Sequence, residues 1–189
     1  MKQTSFFILI ALLSLSLAAL ACTINVGGPD YPETRVPVST ESATSLEEQV
    51  KAAQTAAAQS GALVLSISES QITSLVAAKL AENPEPLLTD PQVYLRDGQI
   101  QIYGKAVQGR LQANVRIVIA ISVDANGQPA ISVLSTDFGP LPAPEGLNNT
   151  ISALVQEAFT GALGPAAIGF RLESITIADG VMTMTGRVK

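Results

Sequence analysis

Between Leu111 and Val123 every second residue is apolar: Leu111, Ala113, Val115, Ile117, Ile119, Ile121 and Val123. Side chains alternate between the two faces of a strand, so the run predicts one long strand over residues 110–124 with a wholly apolar face. The other face begins with Arg110, Gln112, Asn114 and Arg116 and is expected to meet water at that end. Asn126 followed by Gly127 signals a turn, and residues 131–138 are the expected antiparallel return. Asp97 with Gly98 and Asp179 with Gly180 mark two further hairpins, over residues 93–102 and 170–188, each flanked by alternating apolar positions. In the last hairpin the apolar register slips between Leu172 and Ile175, which predicts a bulge near Glu173 and Ser174.

Elsewhere the period lengthens to that of a helix. Ser45 and Glu48 have capping-box spacing, and an alanine-rich stretch then runs to Gln59, before Gly61. The stripe of this first helix, Leu46, Val50, Ala53 and Ala57, is thin enough to suggest peripheral packing. Residues 62–67 suit a short strand. Ser68 and Gln71 form a second capping pair, followed by Ile72, Leu75, Val76 and Leu80 at helical spacing, with Asn83 and Pro84 as the stop. A third helix is expected over residues 147–163, with Ile151, Leu154, Val155 and Phe159 on one stripe and Gly164, Pro165 beyond it. The two Asp-Gly hairpins align residue for residue over 93–106 and 175–188, through to the Gly104, Lys105 and Gly186, Arg187 pairs, and a similar helix precedes each. The fold class expected is α+β: a curved antiparallel sheet wrapped around or packed on two to three helices, with a helix-plus-hairpin unit used twice.

The first residues follow neither period. Lys2 is followed by an apolar stretch from Phe6 to Leu20 and then by Ala21 and Cys22, which is the architecture of an export signal. At about 15 residues the stretch is shorter than the roughly 20 needed to cross a bilayer. Cys22 is the sole cysteine, so no internal disulfide forms and the thiol needs another role. Leu20, Ala21 and Cys22 resemble the bacterial lipobox, in which the cysteine receives a lipid and becomes the mature N-terminus. Ala19 departs from it, leucine being commoner there. Residues 1–21 are therefore expected to be a lipoprotein signal and residues 22–43, rich in Gly, Pro, Ser and Thr, a flexible tether. Residues 44–189 then form one domain, outside the cytoplasm and held to the cell membrane, or to the outer membrane of a host with two.

Composition narrows the chemistry. The chain carries 11 basic and 16 acidic residues, a net charge of −5, and loss of Lys2 with the signal leaves it more acidic. Such a surface repels phosphate backbones, which disfavours nucleic acid as a partner. There is no histidine and no tryptophan. Histidine-based acid–base catalysis, Cys–His nucleophiles and zinc sites of the usual N/S kind are therefore removed. No nucleophile elbow or phosphate-binding glycine loop occurs. Asp97, Asp124 and Asp179 sit in or beside turns, where turn formation accounts for them. No catalytic residue, metal ligand or cofactor is assigned, and the chain is not expected to be an enzyme.

The order of a serine-capped helix, an Asp-Gly hairpin, a long amphipathic strand, a proline-bearing loop into a second helix and a final Asp-Gly hairpin resembles the tubular lipid-binding, or BPI-like, superfamily over about residues 62–189. That resemblance implies a curved sheet wrapped on a long helix, with lipid chains in the apolar seam. Read onto this chain, the seam would be Val115, Ile117, Ile119 and Ile121 on the long strand, facing Leu75, Val76, Leu154, Val155 and Phe159 on the helices. The function expected is to bind or shuttle a lipid or other hydrophobic molecule in the cell envelope. The alternative is a non-enzymatic interaction or structural module in which the same residues form a solid core.

Overall fold

The computed structural model describes residues 24–84, 86, 88–142, 153 and 170–188. It is α+β: a curled five-stranded sheet and a smaller three-stranded sheet, with two helices packed on them among the described residues. In chain order the elements are β1 (Ile24–Asn25), α1 (Thr40–Ser60), β2 (Ala62–Ser68), α2 (Glu69–Ala81), β3 (Thr89–Arg96), β4 (Gln99–Gln108), β5 (Leu111–Val123), β6 (Pro129–Asp137), β7 (Phe170–Ala178) and β8 (Val181–Val188).

The larger sheet is an antiparallel meander, β3-β4-β5-β6, and the smaller has the order β2-β8-β7. Both Asp-Gly pairs turn with φ above zero at each residue, 53° and 73° at Asp97 and Gly98, 52° and 77° at Asp179 and Gly180. That is the turn whose twist matches paired strands. The expected bulge in β7 lies between Leu172 and Ser174, and the bulged Glu173 reaches Arg187 at 2.7 Å. The two aligned hairpins belong to different sheets, yet the glycine six positions past each turn glycine does the same job. A Cβ on Gly104 would stand 2.3 Å from Leu88 Cγ, and one on Gly186 2.7 Å from the Arg171 carbonyl oxygen. Of the helix expected over residues 147–163 only Ala153 is among the described residues, and it is helical.

The hairpin tips meet at the start of α2. Its cap is the capping box read from the sequence, with Ser68 and Gln71 each closing on the other's backbone N–H. Glu69, in the first turn, accepts from the Leu95 N–H at 2.8 Å and pairs with Arg96 at 3.2 Å. Its own N–H donates to the Gly180 carbonyl, and the Gly180 N–H donates to the Leu95 carbonyl. One turn on, the fully buried Thr73 hydroxyl accepts from Val93 N–H at 3.0 Å and lies 3.3 Å from the Val93 carbonyl as donor. Helix α2 thus pairs with the open edge of β3, which would otherwise expose unmatched backbone groups.

Three sequence expectations change, two of them in the first helix. Helix α1 begins at Thr40, because Ser39 rather than Ser45 is the cap, its hydroxyl accepting from Ser42 N–H at 3.1 Å. Its stripe is not peripheral: Leu46, Val50 and Ala57 are buried in the same apolar cluster as both sheets.

The stretch from Ile24 to Val38, expected as coil, lies along the sheet. β1 runs parallel to the start of β5, with Ile24 opposite Leu111, and Gly28 approaches Asn114 so closely that a Cβ would stand 2.2 Å from its carbonyl oxygen. Tyr31 then packs its ring 5.8 Å from that of Tyr103, which meets Tyr94 edge-on at 5.6 Å. Arg35 grips Asp90 at 2.8 Å, Lys105 reaches the same carboxylate at 3.1 Å, and the buried Val36 donates its N–H to Gln92 at 2.7 Å. These side chains cover the outer face of the sheet, so the segment is a strap.

Candidate functional site

Because side chains alternate along a strand, the odd-numbered residues of β5 turn inward. The ladders then set Leu95, Ile100, Ile119 and Val133 in one row across four strands. Val93, Ile102 and Ile117 stand side by side in the next. Ala106 and Ala113 continue the wall toward the β4–β5 turn, and Leu88 fills the gap left by Gly104. The wall from Ala113 to Ile121 extends about 26 Å at 3.3 Å per residue. No polar side chain interrupts it on β3, β4 or β5, and on β6 Thr136 stands opposite Ile117.

Of the expected seam, the structure places Val115, Ile117, Ile119 and Ile121 on this wall, all 8% exposed or less. Leu75 on α2 is buried with them, and Val76 is partly buried against the same cluster. Leu154, Val155 and Phe159, expected to close the seam, lie outside the described residues, as does Cys22. The wall is continuous with Leu46 and Val50 of α1, Leu63, Leu65 and Ile67 of β2, and Met182 and Met184 of β8.

A second feature escaped the sequence reading. An open groove of about 290 Å³ is lined by Ser42, Ser45, Gln49, Ser66, Ser68, Ser70, Gln71 and Val181. Its floor is the buried Gln71 amide, which donates to Ser45 Oγ and Gln49 Oε1, both at 3.0 Å, and accepts from Ser68 N–H at 2.9 Å. These polar groups satisfy one another. No carboxylate or amine lines the groove, so it holds no general base and no fixed charge. Its residues come from four elements with no shared period, so the only sequence signal was the Ser68, Gln71 cap.

Titratable groups with altered affinity for protons gather under the strap. Burial pushes the Tyr31 phenol up, and the Asp90 carboxylate behind it adds to the effect. Burial works against ionisation of Asp90 too, but hydrogen bonds from Arg35 and Lys105 outweigh it and hold the carboxyl below its usual range. Among the described residues, no three His, Cys, Asp or Glu side chains are grouped as a metal site would need. The Asp97 and Asp179 hairpins meet at Glu69, through Gly180 and Leu95.

No family model matches the sequence, and no curated protein matches it.

Proposed function

We propose that the chain is an extracytoplasmic lipoprotein, tied to the membrane by lipid on Cys22, whose curled sheet holds an acyl chain or similar hydrophobic molecule. The observation that carries this reading is the aliphatic wall of β3, β4 and β5. Its length of about 26 Å exceeds the roughly 15 Å of one leaflet's hydrocarbon, half of a bilayer core. Residues 147–163, amphipathic by sequence, would supply the opposite wall through Leu154, Val155 and Phe159. A seam of this kind needs no catalytic or charged group. Burial of a 16-carbon chain contributes about 12 kcal/mol gross, at about 0.8 kcal/mol per methylene, before ordering costs.

One observation favours the second reading, a solid-cored interaction or structural module of the envelope. Leu95, Val115 and Ile119 have no exposure at all and pack into one cluster with both helices, as the members of a filled core do. Titration of the purified lipoprotein with a fluorescent fatty acid separates the two. Near-stoichiometric, saturable uptake, lost in an Ile119→Trp variant whose far-UV spectrum is unchanged, is the result expected of a carrier. A folded wild-type protein that takes up no probe contradicts carriage and leaves the module.

A further inference from the structure

The strap places strict limits on where the domain sits. Residue Ile24 is hydrogen-bonded to the sheet, its N–H donating to the Arg110 carbonyl at 2.7 Å. Only residue 23 intervenes before Cys22, and two extended residues span at most about 7 Å. Any lipid on Cys22 therefore enters the bilayer beside the β4–β5 turn, and the domain cannot hover on a coil above it.

The turn itself has the chemistry of a membrane surface. Ile24 is 58% exposed, Val107 51% and Leu111 38%. By register Ile24 and Leu111 share one face of the sheet and Val107 stands on the other, so both sides of the same tip are apolar. Between them, Gln108, Gly109 and Arg110 are exposed. Gly109 turns with φ 63°, and a Cβ there would meet nothing within 4 Å. Although the chain is acidic in net charge, residues 99–123 contain Lys105, Arg110 and Arg116 and no carboxylate. An apolar tip bearing a cation complements anionic headgroups over hydrocarbon.

We propose that the β4–β5 turn, with Ile24, Val107, Leu111 and Arg110, is a wedge that enters the outer leaflet next to the Cys22 anchor and fixes the domain upright on the membrane. The inference rests on lipidation of Cys22, the reading made above. The chain has no tryptophan, so a single introduced one reports without background. Full-length, processed protein carrying Leu111→Trp, Val107→Trp or, as a control on the exposed part of β6, Leu134→Trp is reconstituted into phosphatidylcholine–phosphatidylglycerol vesicles. Acyl-chain-brominated phosphatidylcholine serves as quencher. The wedge predicts a blue shift and loss of most emission for Leu111→Trp and Val107→Trp, with Leu134→Trp unquenched by bromine and open to aqueous iodide. Mass analysis of the N-terminal peptide separates the two ways of failing. If Cys22 carries diacylglycerol but all three variants behave like Leu134→Trp, the wedge is overturned and the anchor stands. If Cys22 carries no lipid, the anchor is overturned and the wedge with it.

Discussion

Single residues fix how the parts of this molecule meet, and Glu69 does so most directly. Its carboxylate satisfies the Leu95 N–H and the Arg96 guanidinium at the point where two hairpins reach one helix. Truncation leaves a largely buried donor without an acceptor, so Glu69→Ala should lower stability by about 2 kcal/mol, read as a lower urea midpoint at unchanged m-value. Asp90 acts on the strap. Its folded pKa lies below the unfolded value of about 3.9, so its contribution is fully present above that value and is lost as pH falls through the lower, folded one. Asp90→Asn tolerates the positive φ of 53° and removes the charge. The urea midpoint of wild type should exceed that of Asp90→Asn by a constant margin above about pH 5, and the margin should shrink as pH falls below the unfolded value toward the folded one. A margin that persists into acid would assign the effect to packing.

At the scale of elements, what the sequence made legible is what local periodicity encodes. Both Asp-Gly turns, the long β5 face, the Ser68 cap and the bulge at Glu173 follow from spacings of two to four residues. The strap does not, because Tyr31, Arg35 and Val36 are held singly by partners more than fifty positions away, at Asp90, Gln92 and Tyr103. A Gly- and Pro-bearing stretch with no period reads as coil even when tertiary contacts order it. The start of α1 was misplaced for a related reason, since the Ser45 hydroxyl is taken up by Gln71. The candidate seam was legible on β5 and α2 and rests on sequence alone at Leu154, Val155 and Phe159. The strap carries its own test at Gly28, whose φ of 112° and approach to Asn114 exclude a side chain. Gly28→Ala should free the strap while leaving the main core folded. It should appear as faster amide exchange at Ile24, Val26 and Asn114, whose N–H groups bond between strap and β5, with little change at Thr73-bound Val93.

In the reading proposed above, the whole molecule joins an export signal ending at Cys22 to a short ordered strap and a curled sheet with an aliphatic interior. Because the strap leaves so little slack, an anchor on Cys22 and the β4–β5 turn would act at one place, and the inner wall begins there at Ala106 and Ala113. A lipid passing between bilayer and wall would have a short path along apolar surface, which a domain on a long coil would lack. That geometry ties carriage to position, and the most direct test of carriage is native mass spectrometry of the intact lipoprotein, purified from its host without added lipid. The account predicts two increments on the processed chain: a covalent one on Cys22 that survives denaturation, and a non-covalent one of lipid mass that is lost on unfolding. A well-folded protein that shows the covalent increment alone would contradict carriage and leave a solid-cored module held at the membrane surface.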